Sequence, residues 1–342
     1  MTDQPLHDVR AEDPTAREKR VTTRAAPASS PAAGVLGRRT DGPAVVTSGL
    51  SKRSAARLAV DAIDIELPAG VISGFVGPNG AGKTTTIQLL LGLLRPTGGT
   101  AHVLGHPISH PAAYLDRVGA LVESPSFYPT LSGRRNLDVL VRLGRLDRAR
   151  IDDVLTLVGL NDRADDLVRS YSLGMKQRLG VAAALLPEPD LVILDEPANG
   201  LDPAGIREIR RLLRRLSDDG VTVFVSSHQL AEIEAICDHL VMIHHGRIVF
   251  QGKVEELIAA QHSELVAVPE HSEDLVRLAE LCVHDGKAAR VDGEVVRVQA
   301  SGDWAAELNR RAMAAGITLR ELQSTRASLE EAFFAVTERG EE

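Results

Sequence analysis

Gly77-Pro78-Asn79-Gly80-Ala81-Gly82-Lys83-Thr84-Thr85 decides how this chain is read. Its first eight residues fit G-x-x-x-x-G-K-[ST], the pattern of a loop that cradles phosphate. Ahead of it, Val71-Ile72-Ser73-Gly74-Phe75-Val76 is an apolar run suited to a buried strand, and residues 85–94 carry the leucine-rich face of a helix. Strand, loop and helix in that order are the setting the pattern needs. The glycines let backbone N–H groups turn inward on phosphate oxygens, and the helix N-terminus adds the positive end of its dipole. Lys83 supplies a point charge for the β- and γ-phosphates, and the Thr84 hydroxyl can ligate Mg2+. The plainer alternative is a glycine-rich turn before a core helix; both flanks argue against it.

A second run, Leu191-Val192-Ile193-Leu194-Asp195-Glu196-Pro197, reads as a buried strand ending in two carboxylates. In parallel α/β sheets ligands bind at the carboxyl ends of strands. Asp195 can hold Mg2+ directly or through water, and Glu196 can polarise an attacking water as general base. Taken alone, this is a strand followed by a solvated acidic turn. Beside a phosphate loop it becomes a catalytic candidate.

The rest of the chain supports a parallel sheet with helices between strands. Residues 60–67 largely alternate apolar and polar, as one half-buried strand would. A short strand is expected through Val103. Residues 131–168 are dense in Leu, Arg and Asp at helical spacing, with Leu137, Leu140, Val141, Leu143, Val154, Leu155, Leu157, Val158 and Leu160 as the apolar set. They read as a small helical insertion. Helices over 173–186, 204–216 and 230–237 alternate with strands over 191–194, 221–225 and 240–244, and residues 246–251 close the series. Beyond about 260 the pattern is β-α-β-β-α-β, with Asp292-Gly293 as a hairpin turn, which suggests a ferredoxin-like module. Residues 1–43, rich in Ala, Pro, Thr and charge, read as a disordered extension.

Between the two catalytic runs stands Tyr171-Ser172-Leu173-Gly174-Met175-Lys176-Gln177-Arg178. With the phosphate loop before it, and Asp195-Glu196, Gly200-Leu201-Asp202 and Ser227-His228 after it, this order and spacing over residues 44–258 resembles the ATP-binding cassette (ABC) ATPases. The resemblance implies an α/β P-loop NTPase cassette with a parallel-sheet core, an antiparallel β subdomain and a helical subdomain. A small α+β accessory domain over 259–342 completes the expected organisation. The resemblance also implies ATP and Mg2+ as cofactors. Ser172 and Gly174 match the family signature; Leu173 and Met175 do not. In the family that signature opens a helix whose serine and amides meet the γ-phosphate held by the opposite subunit. Asp202 matches the loop that crosses the dimer, and His228 matches the histidine that contacts the γ-phosphate. One cassette per chain therefore implies a homo- or heterodimer.

Two positions depart from the family pattern. Glu123, in Leu121-Val122-Glu123-Ser124-Pro125, stands where a glutamine usually ligates Mg2+ and senses the transport partner. Glutamate still offers oxygen to the metal. With residues 124–129 and the Ser172-Leu173-Gly174-Met175 signature, it looks most like exporters of bacitracin, lantibiotics and drugs. No aromatic occurs from Asp41 to Gly74 to stack on adenine. Arg53 or Arg57 as cation–π partners, or Val60 by packing, are the substitutes, and GTP stays open as a substrate.

Composition agrees with a folded cassette: 342 residues, 44% hydrophobic and 25% charged. The net charge of -8 offers no basic excess for nucleic acid. No apolar run approaches the roughly 20 residues of a spanning helix. No secretory leader is recognisable at the start. Cys237 and Cys282 are expected to be buried thiols in a reducing compartment. The expected function is an exporter's ATP-hydrolysing subunit, cytoplasmic and held at the membrane by a separate permease. Ser328-Leu329-Glu330-Glu331-Ala332-Phe333-Phe334-Ala335-Val336-Thr337 resembles the tail of drug-exporter ATPases and also suits an amphipathic helix covering a sheet. The alternatives are a soluble ABC ATPase acting on ribosomes or DNA, and a regulator that no longer hydrolyses. The single cassette argues against the first, and intact Lys83, Asp195, Glu196 and His228 argue against the second.

Overall fold

The chain begins with β1 (Val45–Ser54), β2 (Arg57–Ile63) and β3 (Glu66–Leu67), followed by β4 (Ile72–Val76) and α1 (Lys83–Leu90). β5 (Gly98–Val103), β6 (His106–Pro107) and β7 (Val118–Leu121) lead to α2 (Gly133–Gly144), α3 (Arg150–Leu157) and α4 (Leu173–Leu185). Then come β8 (Leu191–Asp195), α5 (Pro203–Asp218), β9 (Thr222–Ser227), α6 (Leu230–Glu234), β10 (His239–His244), β11 (Arg247–Lys253) and α7 (Val254–Ala259). The last series is β12 (Glu264–Pro269), α8 (Asp274–His284), β13 (Ala289–Asp292), β14 (Val295–Gln299), α9 (Ala305–Ala314) and β15 (Leu319–Thr325). This computed structural model describes residues 42–54, 57–123, 125–259, 264–325 and 329–333. The disorder expected for residues 1–41, and the readings of Ala55, Ala56, Ser124, Ser328 and the tail from Phe334, lie outside the described residues.

The central sheet runs β11-β10-β4-β9-β8-β7. Its pairs from β10 to β7 are parallel, and β11 is an antiparallel edge. Every residue of β4, β8 and β9 is buried. Strands covered on both faces read as unbroken apolar runs, which is why these three were visible in the sequence. Phe75 of β4 stacks on Phe224 of β9 with ring centroids 5.3 Å apart. The register pairs Val76 with Ser227 and Asp195 with Ser226. Those pairings bring the phosphate loop, the two carboxylates and the Ser227-His228 turn together at the carboxyl ends of the parallel strands.

An antiparallel sheet, β2-β1-β5-β6 with β3 paired to β1, covers the start of the chain. The single strand expected over 60–67 is two. β2 ends at Ile63 after Ala62 turns to φ 48, and β3 starts at Glu66. The Thr47 hydroxyl spans the break, donating to Ile63 O at 2.8 Å and accepting from Ile65 N at 2.8 Å. Backbone groups left over by the missing ladder thus find a partner. α1 stops at Leu90, short of residue 94, because the amides of Leu93 and Leu94 both return to Gln88 O.

The helical segment packs Leu137, Val141, Val154, Leu155, Val158 and Leu160 into one core, whereas Leu140 and Leu143 face outward, Leu143 at 77% exposure. The last sheet runs β13-β14-β12-β15, all antiparallel, and shares a core with Leu278 and Cys282 of α8 and Leu308 and Ala312 of α9. Residues 329–333 do something different. Leu329 and Ala332 belong to the core of the parallel sheet, and Leu329 N donates to Glu234 Oε2 at 3.0 Å. The chain beyond 258 therefore divides between two cores.

Candidate active site

Close packing explains Gly77 and Gly82 of the loop. A side chain on Gly77 would put Cβ 2.2 Å from Ile243 O. Gly82, the N-cap of α1, holds φ +114, and a Cβ there would meet Ala59 O at 2.5 Å. The loop thereby stays tight and α1 can start at Lys83. Ala81 N bonds Pro78 O at 3.1 Å, and Thr86 N makes the first helical bond to Gly82 O at 2.9 Å. The leading amides of α1 have no intrahelical acceptor, as at every helix start, and suit an anion.

A cavity of about 410 Å³ opens at this point. Its lining takes Asn79, Gly80, Gly82, Lys83, Thr84 and Thr85 from the loop and α1. Glu196, Asn199 and His228 join from the ends of β8 and β9, and Arg57 and Ala59 from β2. Lys83 is only 6% exposed. Its Nζ donates to Gly77 O at 2.7 Å and lies 3.3 Å from Glu196 Oε1. His228 Nδ1 is 2.8 Å from the other Glu196 oxygen. An ionised carboxylate only accepts, so Nδ1 carries the proton there and Nε2 is the nitrogen left for a ligand. Glu196 itself sits at φ 50, a left-handed position uncommon for a non-glycine residue.

Beneath this layer, Thr84 Oγ1 donates to Asp195 Oδ2 at 2.7 Å. Ser226 Oγ donates to Asp195 Oδ1 at 2.5 Å and accepts from Glu196 N at 3.0 Å. One serine thus orients both neighbouring acids. A hydroxyl beside a carboxylate is a hard-oxygen pair of the kind Mg2+ takes, so Thr84 and Asp195 fit that cation.

The comparisons with known proteins agree with this geometry. A family model described as ABC transporter matches residues 60–199. The chain is 38% identical over 303 residues to the bacitracin transport ATP-binding protein BcrA of Bacillus licheniformis, covering 84% of this chain and 95% of that protein. It is 35% identical to the daunorubicin/doxorubicin resistance ATP-binding protein DrrA of Streptomyces peucetius, over 86% of this chain and 92% of that one. This chain belongs to the ABC transporter family. A solved ATP-binding subunit of an ABC transporter superposes with a TM-score of 0.57 at 28% identity, covering 63% of this chain and 92% of that one.

The cassette is therefore a nucleotide-binding ATPase, and its assigned residues fall into three groups. Asn79, Gly80, Gly82, Lys83, Thr84, Thr85, Glu196 and His228 meet at the cavity. Gly77, Pro78 and Ala81 support it from behind, the first two by offering carbonyls to Lys83 Nζ and the third by packing at 3% exposure. Ser172, Gly174 and Asp202 lie outside its lining. Ser172 caps α4, accepting from Met175 N at 3.2 Å, and Asp202 caps α5, accepting from Gly205 N at 2.8 Å. Both caps are exposed.

Glu123 is exposed, holds φ 63 and does not line the cavity. Among the described residues no group of three or more His, Cys, Asp or Glu side chains is placed to hold a metal ion. For the base, Val60 is fully buried and offers no surface, whereas Arg57 lines the cavity. Ser226 and Asn199 went unnoticed in the sequence. Only the register of β8 against β9 reveals the first, and only the turn after Glu196 reveals the second.

Proposed function

We propose that this cassette is the ATP-consuming subunit of an exporter. Two cassettes close on ATP, and hydrolysis reopens them to drive a separate integral-membrane permease. The observation that carries this reading is the split site. Lys83, Glu196 and His228 line one cavity, while Ser172 and Asp202 cap exposed helix starts outside it. A second cassette, identical or related, supplies its Ser172 and Gly174 helix to this cavity and receives the same in return. A helix N-terminus facing the γ-phosphate is a favourable electrostatic pairing.

In this reading the loop amides and Lys83 hold the β- and γ-phosphates, and Arg57 lies against the base. Thr84 and Asp195 hold Mg2+, which when bound neutralises phosphate charge. Glu196 accepts a proton from water as the water oxygen bonds to γ-phosphorus and the bond to the bridging oxygen of ADP breaks. His228 Nε2 positions that water and meets the phosphate. Glu123 lies just past β7, at the junction with the helical segment, where contact with a permease would reach the site.

No helix among the described residues is long and apolar enough to cross a membrane. We place the chain on the cytoplasmic face, held by its permease. The names of its relatives favour a drug, antibiotic or peptide as cargo. Residues 259–342 form an accessory domain in this scheme. The test is assembly: the Glu196→Gln chain, given ATP and Mg2+, should elute as a dimer by light scattering and return to monomer with ADP. A monomer in both nucleotides overturns the split-site reading.

A further inference from the structure

Behind Ser226 and Ser227 lies a small cavity of about 20 Å³. Ile209 and Val225 give it apolar walls, and Arg210 of α5 and Glu232 of α6 bring charge to it. Glu232 is 8% exposed, and its Oε1 has no hydrogen-bond partner. Arg210 Nε is buried and equally unpartnered. Two such groups facing one small space demand an explanation, since an unmet buried polar atom costs about 1–3 kcal/mol.

We propose that Glu232 and Arg210 hold a single buried water against the Ser226-Ser227 end of β9, and that this bridge positions the His228 turn for ATP hydrolysis. The size suits one molecule, which needs roughly 10–15 Å³ and two to four polar partners. Arg210 Nε–H donates to the water, and the water donates to Glu232 Oε1. Burial pushes the Glu232 carboxyl up, and the Arg210 charge first, then His228 and the Ser227 hydroxyl, oppose that push. Ser227 Oγ also accepts from Gln229 N at 3.0 Å, so it closes the turn that contains His228. Ser226, on the same strand end, carries the bonds to Asp195 and to the Glu196 amide.

The bridge therefore ties α5, which Asp202 caps, to the turn that aims His228 at Glu196. Glu232 touches no substrate in this scheme and is a positioning residue. The inference rests on the roles given above to Glu196 and His228.

The test uses the full chain and compares kcat with KM for ATP at equal concentrations of folded protein. Glu232→Leu removes the water's acceptor and should lower kcat about tenfold with KM within about twofold. Glu232→Gln keeps an acceptor oxygen and should stay within about twofold of the parent. Arg210→Met should lower kcat to the same extent as Glu232→Leu, and the double variant should be no worse than either. A high-resolution crystal structure of the parent should show the water. A direct Glu232–Arg210 bond with a dry cavity overturns the bridge, and an unchanged kcat in Glu232→Leu overturns the positioning role. His228→Ala separates the two readings. If that variant turns over normally, the active-site assignment has failed and this inference with it. If it is slow while Glu232→Leu is normal, only the inference fails.

Discussion

Lys83 Nζ lies 3.3 Å from Glu196 Oε1, so the ammonium we propose for the phosphates is paired with the carboxylate we propose as the base. His228 holds the second oxygen of the same carboxylate at 2.8 Å. An incoming triphosphate carries more negative charge than Glu196 and competes for the ammonium. As Lys83 turns to phosphate, one Glu196 oxygen is released to accept from water while His228 keeps the other in place. Under the proposed roles, substrate binding and arming of the base would be one event.

Lys83→Ala should remove this event altogether. The small side chain leaves the loop carbonyls of Gly77 and Pro78 unpaired and the phosphates without their cation. Affinity for ATP should fall at least about a hundredfold, roughly 2.7 kcal/mol, by fluorescence titration. Unchanged affinity would rule out the phosphate-loop assignment.

Glu196→Gln keeps the shape and loses the base. ATP binding should persist while single-turnover hydrolysis slows by about 10²- to 10⁴-fold, the usual worth of a general base. Turnover at the parent rate would assign the proton to another group.

Ser172→Ala probes the exposed cap of α4. Loss of the bond to Met175 N should cost about 1 kcal/mol of stability, visible as a small fall in Tm. ATP-driven dimer formation should weaken far more than that. A dimer of normal affinity would confine Ser172 to its capping duty.

Glu123→Gln tests the junction with the helical segment. Because Glu123 is outside the cavity lining, ATPase activity should remain within about tenfold, or roughly 1.4 kcal/mol in barrier. Transport in the assembled system should suffer more. Equal losses would remove Glu123 from coupling.

Cys237 and Cys282 are buried and unpaired, and burial pushes both thiols up, Cys282 from 9.0 to about 11. The thiolate is the reactive form, so neither should react with a disulfide reagent at pH 8 until the chain is unfolded. The raised Cys282 value contributes stability fully below pH 9.0, and that contribution is lost as pH climbs through about 11. Fast labelling of the native chain would contradict the packing described.

What was legible in the sequence tracks physical cause. Residues 77–85, 191–197 and 221–225 stood out because a phosphate loop needs glycine at fixed places and parallel strands need apolar side chains on both faces. Ser226 gave no such signal, because its value lies in standing opposite Asp195 across two strands. Arg210 and Glu232 gave no signal in the sequence, and they line a small cavity that only the packing of α5 and α6 creates. The break after Ile63 was hidden because Ile63 and Ile65 are both buried at 1% and 2%, so alternation continued across a gap in the ladder. Residues 329–333 read as an amphipathic tail, and nothing in their pattern said which sheet they would cover.

The return of Leu329 to Glu234 makes the small antiparallel module a closed span with two anchorages. One is α7, where the chain leaves the parallel sheet. The other is α6, the short helix that also bears Glu232 and follows directly on His228. Deleting the chain from Leu329 onward would remove one support of the His228 turn, so truncated chains should show altered turnover before they show altered folding.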